Sequence, residues 1–134
     1  MSQQTHTVLF MCPHGAAKSV MAKTYFQKRA KEQGLAIDAD AAGPFPDAAV
    51  YPAVVELLAA EGCQLDHPEP RKVTAHDIAQ AQQLVSIGCN INDLPSTDKA
   101  IDSWDDVPMV SKDIHAAWQG VKGHVEEMVG RLER

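Results

Sequence analysis

Residues 7–21, with the sequence TVLFMCPHGAAKSVM, constrain the fold more than any other part of the chain. An apolar run leads into Cys12, and five residues, among them Gly15, separate that cysteine from Lys18, where an amphipathic helix is predicted to begin. A buried strand, a short turn and a helix N-terminus form an anion cradle, because the first N–H groups of a helix have no partners within it. The same groups and the helix dipole stabilise a thiolate at the mouth of the cradle. The segment therefore predicts a nucleophilic cysteine that shares its site with an oxyanion pocket.

Strands and helices alternate along the rest of the chain. Strands are predicted at residues 7–11, 36–42, 84–88 and 100–104, and helices at residues 18–33, 51–60, 74–80 (with Thr74 as the cap) and 113–132. This alternation predicts one α/β domain over residues 1–134, in which a parallel sheet of four strands is covered by helices on both faces. Ligands of such sheets gather beyond the carboxyl ends of the strands. Cys12, Cys89 and Asp105 each follow a predicted strand, so we expect them along one edge of the sheet.

Composition narrows the class of function. The 134 residues carry a formal net charge of −6, which argues against nucleic acid or an anionic membrane as the main partner. There is neither an 18-residue apolar run nor a signal-peptide profile, so we expect a soluble, cytoplasmic protein. Cys12, Cys63 and Cys89 do not describe a disulfide-stapled domain and are too widely spaced for a zinc knuckle, so neither a metal nor a cofactor is expected. Residues 1–5 are predicted to be loose, and residues 66–71, with two prolines, to be a surface loop.

The segment around Cys12 resembles the active-site loop of the low-molecular-weight protein-tyrosine phosphatases and of the related thioredoxin-coupled arsenate reductases. The pattern in those families is a strand, Cys, five residues, Arg and Ser, usually followed by Met-Ala. The matching residues are Cys12, Ser19 and the pair Met21-Ala22. Lys18 stands where the families carry arginine, and His14-Gly15 stands where they usually carry Gly-Asn.

The resemblance continues through most of the chain. The sequence AAG at residues 41–43 resembles the SAG strand end of these families, and residues 52–62 resemble the helix that follows it. The sequence LVSIGC at residues 84–89 resembles the VVTMGC strand end of the arsenate reductases. The resemblance implies the three-layer sandwich of the low-molecular-weight phosphatases and a thiolate enzyme that acts on a tetrahedral oxyanion.

The resemblance also implies roles for the loop residues. Cys12 would be the nucleophile, and Ser19 would hold its sulfur as the thiolate; the alternatives are a buried cysteine that ends a strand and a serine that only caps a helix. The residues implied in binding the oxyanion are Pro13, His14, Gly15, Ala16, Ala17 and Lys18. The ring of His14 would add positive charge when protonated, or it would simply face solvent.

Lys18 is the most consequential departure from the family pattern. Lysine keeps the positive charge but is a flexible point donor, so the bidentate contact that arginine makes with an oxyanion is lost. Losing one well-placed charge-assisted contact costs on the order of 2–4 kcal/mol of transition-state stabilisation. The corresponding loss of rate is roughly 30- to 1000-fold. The lysine therefore threatens turnover more than it threatens anion binding.

The second departure concerns the proton donor. The families carry a loop resembling Trp-x-x-x-Asp-Pro, whose aspartic acid protonates the leaving oxygen. The sequence WDDVP at residues 104–108 matches the tryptophan but contains no Asp-Pro pair. Either Asp105 or Asp106 could act as the general acid if the loop is displaced, or both could form a solvated acidic turn. Two carboxylates would repel an anion unless one were protonated or turned away.

Cys89 offers a redox alternative. In the arsenate reductases a second cysteine attacks the adduct between the first cysteine and arsenic, which releases arsenite and leaves a disulfide. Cys89 stands at the corresponding strand end, although it could also be a small packed residue, and the third cysteine of those enzymes is absent. Thioredoxin or another thiol reductant would reset the disulfide. Cys63, after Gly62 at a helix end, is expected to be structural.

Three hypotheses remain open from the sequence. The first is an arsenate reductase-like enzyme, favoured by the length of the chain, the LVSIGC strand and Cys89. The second is a phosphatase of phosphomonoesters, including phosphotyrosine, which the missing Asp-Pro pair disfavours. The third is a catalytically impaired homologue that binds phosphate or another oxyanion, or senses oxidation through Cys12; Lys18 motivates this hypothesis.

Overall fold

The computed structural model describes residues 6–63, 65 and 69–132. The loose segment predicted at residues 1–5 and the first three residues of the loop predicted at 66–71 lie outside these ranges. The elements are β1 His6–Met11, α1 Lys18–Glu32, β2 Ile37–Ala42, α2 Pro52–Ala60, α3 Ala75–Gln80, β3 Gln83–Ser86, a 3-10 turn Ile91–Asp93, β4 Ile101–Ser103 and α4 Ile114–Leu132.

The four strands form one parallel sheet in the order β2-β1-β3-β4, as the alternation of elements predicted. β1 lies inside the sheet, and its last residue, Met11, pairs with both Ala42 and Ser86. Val8 and Phe10 enter the larger hydrophobic cluster on one face, and the alternate residues of the strand enter a smaller cluster on the other. Burial on both faces explains why the end of β1 is a continuous apolar run.

Helices cover both faces of the sheet. The larger cluster contains buried residues of α1, α2 and α4, whereas the smaller cluster is closed by α3. The helix predicted at residues 113–132 is α4, which buries one apolar face that includes Trp118, Val121 and Val125. Across the contact between α1 and α4, Tyr25 Oη donates to Glu126 Oε2 at 2.6 Å. Burial, together with this bond, raises the pKa of Tyr25 to about 12, so the pair of helices is held by a neutral phenol.

The third and fourth strands end earlier than predicted. β3 stops at Ser86 because Gly88 adopts a φ of +86° and the Cys89 N–H turns back to Ser86 Oγ at 3.1 Å. β4 stops at Ser103, and the next residue, Trp104, still donates its N–H to Ser86 O at 2.8 Å. Cys89 therefore follows its strand after a short turn rather than directly, and Asp105 follows β4 after Trp104.

Arg71 links α3, which covers the face of the sheet with the smaller hydrophobic cluster, to β2. Its Nη1 donates to Asp77 Oδ2 at 2.9 Å, and its Nη2 forms an ion pair with Asp40. Asp77 also accepts the N–H of Thr74 at 2.8 Å, which completes a reciprocal cap of α3. Burial raises the pKa of Asp77, but the bonds from Arg71 and Thr74 outweigh burial, so the pKa is lower than usual.

The substitution Asp77→Asn tests this junction. Removing the charge should lower the free energy of unfolding at neutral pH by about 1 kcal/mol. Because the folded chain lowers the pKa of Asp77, its stabilisation is complete above the unfolded value of about 3.9 and is lost as the pH falls through the folded value. Urea denaturation should therefore show two proteins whose stabilities converge as the pH falls below about 3.9. The exposed Asp98→Asn is the control and should match the wild type throughout. A difference at Asp77 that persists in acid would contradict the electrostatic explanation.

Candidate active site

β1 carries Cys12 to the carboxyl edge of the sheet. The Cys12 N–H donates to Ala42 O at 3.2 Å, and the residue is 3% exposed. Ser19, fully buried in the first turn of α1, places its Oγ 3.0 Å from Cys12 Sγ. The N-cap residue of α1 is Ala17 and no side chain caps the helix, so Ser19 does not act as the cap. Its hydroxyl is instead in position to donate to the sulfur.

The loop between β1 and α1 is held from outside through its carbonyl groups. The bonds are Pro13 O to Phe45 N (3.0 Å), His14 O to Asp47 N (3.1 Å) and Ala16 O to Tyr51 N (2.9 Å). In a trans peptide the N–H points opposite to the preceding C=O. The N–H groups of His14 and Ala17 therefore point away from residues 45–51. Pro13 has no N–H, so its main chain contributes only the outward carbonyl.

Two glycines allow the loop to lie directly on the end of β2. Gly15 has a φ of +59°, and its N–H donates to Cys12 O at 3.2 Å. Gly43 is packed still more closely, because a Cβ at that position would lie 2.3 Å from Cys12 O and 2.6 Å from Gly15 N. Both distances are shorter than any van der Waals contact. Glycine at these two positions is therefore a requirement of the backbone fold around Cys12.

The N-terminus of α1 faces the same loop and is positively polarised. The first bond within the helix runs from Met21 N to Ala17 O, so the N–H groups of residues 18–20 have no partner inside the helix. The first turn contains no acidic side chain and begins with Lys18. Helix dipole and lysine charge thus act together on an anion beside Cys12.

The ring of His14 takes part in the outer support of the loop. Its Nδ1 lies 2.9 Å from Phe45 O and 3.6 Å from Asp47 Oδ1, and the side chain is 60% exposed. Of the two interpretations drawn from the sequence, the solvent-facing one matches this position. The positive charge that a protonated His14 ring would carry therefore lies beside the Asp47 carboxylate.

Lys18 lies against the turn that carries Cys89. A Cβ on Gly88 would come within 2.9 Å of Lys18 Nζ, which places the ammonium group against the residue preceding Cys89. Burial raises the pKa of Cys89 to about 11; the Ser86 hydrogen bond and Lys18 lower it, and the charge of Cys12 raises it. The Ile87 N–H donates to Met11 O at 2.7 Å, so the turn that carries Gly88 and Cys89 begins beside the residue that precedes Cys12. This turn and the end of β1 therefore lie side by side at the carboxyl edge of the sheet, with Lys18 against Gly88.

The acidic loop after β4 is attached to α4. His124 stacks on Trp104 with ring centroids 4.6 Å apart, and its Nε2 lies 2.7 Å from Asp106 Oδ1. Val107 packs against Gly120 of the same helix. The hydrogen bond from His124 lowers the pKa of Asp106, whose side chain is 73% exposed. Asp106 is thus held as a carboxylate at the helix surface, whereas the exposed Asp105 makes no comparable ion pair among the described residues.

Sequence reasoning missed several residues that shape this site. His124 had no recognisable partner, because Asp106 lies 18 positions earlier and only folding brings the two together. The close packing of Gly43 was missed as well; the AAG sequence that ends β2 was the available signal.

Cys63 is buried at the end of α2, consistent with a structural residue. Among residues 6–63, 65 and 69–132, no three His, Cys, Asp or Glu side chains are grouped to hold a metal ion.

Comparison with known families shows to which family the chain belongs. The family model for low molecular weight phosphotyrosine protein phosphatases matches residues 7–116, which include every element from β1 to the start of α4. The chain belongs to this family. Membership confirms the resemblance drawn from the sequence and the type of three-layer fold, and it places the chain in the superfamily of phosphatases and arsenate reductases that act through a catalytic cysteine. No curated protein matches the sequence significantly.

Solved structures of both functional classes share the fold of this family member. Arsenate reductase from Archaeoglobus fulgidus is 28% identical with a TM-score of 0.69, over 93% of this chain and 97% of that one. The low molecular weight protein tyrosine phosphatase from T. tengcongensis is 17% identical with a TM-score of 0.84, over 94% and 99%. A thioredoxin-dependent arsenate reductase from Corynebacterium glutamicum is 21% identical with a TM-score of 0.85; 99% of this chain matches 64% of that protein. The matched structures thus include both arsenate reductases and a phosphatase. Separately, no helix within the described ranges is long and apolar enough to cross a membrane.

Gly43→Ala tests the packing that shapes the loop. The added Cβ would overlap Cys12 O and Gly15 N, so the loop must move. We expect the free energy of unfolding to fall by about 2–3 kcal/mol and the rise in Tm caused by phosphate to disappear. The control is Gly123→Ala in α4, where a Cβ meets nothing within 4 Å and alanine should stabilise the helix by about 0.5–1 kcal/mol. Unchanged anion binding in Gly43→Ala would argue against this description of the loop.

His124→Phe tests the attachment of the acidic loop. Phenylalanine can keep the stacking on Trp104 but cannot bond to Asp106, so the pKa of Asp106 should rise towards its ordinary value. An NMR titration of the Asp106 carboxyl carbon measures this change. His115→Phe, an exposed position on the same helix, is the control and should leave the titration unaltered. An Asp106 titration that is the same in His124→Phe and wild type would show that the bond does not hold the carboxylate in solution.

Proposed function

We propose that this family member reduces arsenate through a pair of cysteines, with Cys12 as the nucleophile and Cys89 as the second thiol. The proposal is carried by the position of Cys89: the Ile87 N–H, two residues before it, donates to Met11 O at 2.7 Å, so the turn that presents Cys89 lies beside the residue that precedes Cys12. A phosphatase needs no thiol at that point. A reductase needs a second thiol that can reach the sulfur of the first.

The oxyanion would bind where the main-chain N–H groups of the loop and Lys18 converge on Cys12. Ser19 Oγ, 3.0 Å from Cys12 Sγ, donates to the sulfur and favours the thiolate. The thiolate attacks arsenic(V), a bond forms between sulfur and arsenic, and one arsenate oxygen leaves as water after it is protonated. The developing negative charge lies against the positive end of α1.

The second step uses Cys89. Its thiolate attacks Cys12 Sγ, the sulfur–sulfur bond forms, and the electron pair of the sulfur–arsenic bond passes to arsenic, which leaves as arsenite. Two thiols have then lost two electrons and two protons, arsenic(V) has become arsenic(III), and one water has been released. Thioredoxin or another dithiol reduces the Cys12–Cys89 disulfide by exchange and restores the enzyme.

Phosphatase activity is the second candidate function, supported by the matching family model. Hydrolysis of a phosphomonoester needs an acid at the leaving oxygen. Asp106 suits that role poorly, because its bond to His124 stabilises the carboxylate. Asp105 is the remaining candidate on this loop. A third possibility, an impaired homologue that only binds the anion, draws its support from Lys18, which lacks the planar fork of arginine.

Three single cysteine variants separate these functions. Arsenate-dependent oxidation of reduced thioredoxin should be abolished by Cys12→Ser and by Cys89→Ser, because each removes one of the two sulfurs of the disulfide. The control, Cys63→Ser, changes a buried cysteine at the end of α2 and should retain turnover per folded molecule. Hydrolysis of p-nitrophenyl phosphate should be lost in Cys12→Ser and retained in Cys89→Ser and Cys63→Ser.

Each outcome selects one function. Arsenate-dependent turnover that survives Cys89→Ser would contradict the two-cysteine mechanism. Hydrolysis of the phosphoester without arsenate reduction would favour the phosphatase. If the wild type shows neither activity while phosphate still raises its Tm, the chain binds the anion without turnover.

A further inference from the structure

Lys18 is not confined to the loop that carries Cys12. Its Nζ lies beside Gly88, so close that a Cβ there would be 2.9 Å away, and its Cε would be 3.8 Å from the same point. Gly88 has a φ of +86°, a conformation that residues with a side chain rarely adopt. The missing side chain therefore leaves room for the ammonium group at the turn that presents Cys89.

The surroundings of Cys89 are otherwise unfavourable to a thiolate. Burial is the dominant effect and raises the pKa of Cys89 to about 11, and the negative charges of Cys12 and Asp93 act in the same direction. The bond to Ser86 and the charge of Lys18 oppose them. A thiol-exchange step needs the thiolate, because the neutral thiol is a poor nucleophile. Lys18 is the positively charged side chain that favours it.

We propose that Lys18 serves both cysteines: it holds the oxyanion at Cys12 and, through its position against Gly88, stabilises Cys89 as the attacking thiolate. The role of Cys89 as attacking thiol rests on the proposed function. In that attack the negative charge moves from Cys89 Sγ, through Cys12 Sγ, to the departing oxyanion. A cation beside Gly88 that also holds the oxyanion favours the negative charge on Cys89 before the attack and on the departing group after it.

Lysine suits this double position better than arginine. Its charge is compact and sits on a flexible four-carbon stem, whereas a guanidinium is planar and fits an oxyanion in a fixed, two-pronged geometry. A point charge beside Gly88 can interact with a thiolate or with an oxyanion without such an orientation. Lys18 lacks the planar fork of arginine, which weakens the case for ester hydrolysis, but its compact charge suits thiol exchange.

Oxidation by hydrogen peroxide tests the proposal without arsenate. The Cys12 thiolate attacks one peroxide oxygen and becomes sulfenic acid as hydroxide leaves; the Cys89 thiolate then attacks Cys12 Sγ, displaces a second hydroxide and forms the disulfide. At high peroxide the rate of disulfide formation no longer depends on peroxide and reports the second step. Quenching with an alkylating agent, followed by mass spectrometry, measures this limiting rate. Cys89→Ser should form no Cys12–Cys89 disulfide, which assigns the signal.

The decisive variant is Lys18→Met, which keeps the length of the side chain and removes its charge. In both proteins the limiting rate should rise with pH as Cys89 ionises. In Lys18→Met the midpoint of this rise should be about one pH unit higher than in the wild type, and below the midpoint the rate should be about tenfold lower. Lys31→Met, an exposed position on α1, is the matched control and should not change either value. An unchanged midpoint in Lys18→Met would overturn the proposal.

A second pair of variants tests the same contact through the glycine. Gly88→Ala should displace the ammonium group and slow the limiting rate in the same direction as Lys18→Met. Gly34→Ala, where φ is +68° and a Cβ meets nothing within 4 Å, introduces comparable backbone strain elsewhere and should leave the rate unchanged. Equal effects of the two alanines would contradict the contact. If the wild type lacks arsenate turnover but the limiting rate depends on Lys18, the proposed function fails while the link between Lys18 and Cys89 stands.

Discussion

The active-site region depends on one close approach of two backbones. The turn that begins at Cys12 lies on Gly43 at the end of β2, so tightly that no side chain fits between them. The carbonyls of the turn are bonded to N–H groups of residues 45–51, and Gly43 itself bonds to residues 71 and 73. The loop therefore has no freedom to turn its carbonyls inward, where they would repel an anion. Its polarity is fixed by packing before any ligand binds.

This fixed polarity supports the proposal that a chain with a net charge of −6 binds an oxyanion. The attraction is local: it comes from helix N–H groups, from the dipole of α1 and from Lys18 in its first turn. Two acidic side chains near the edge are paired with histidines. Asp47 lies beside the ring of His14, and Asp106 lies beside His124 on α4.

The same placements support the proposed choice between the two chemistries of the superfamily. His124 stabilises the charged form of Asp106, which makes this carboxyl a weaker proton donor. Lys18 extends towards Gly88 and the second thiol rather than offering the two-pronged contact of an arginine. One interaction weakens the case for ester hydrolysis and the other strengthens the case for thiol exchange, although the loop around Cys12 is common to both.

The sequence by itself determined the strand, turn and helix around Cys12, the four-stranded parallel sheet and the shared edge. These features depend on local apolar periodicity and on strand direction, which can be read from neighbouring residues. Only the tertiary structure decided which side chains meet across that edge. The pairs Gly43 with Cys12, Lys18 with Gly88 and His124 with Asp106 join residues 18 to 70 positions apart. Such pairs leave no periodic signal, because they depend on distances that exist only after the helices pack on the sheet.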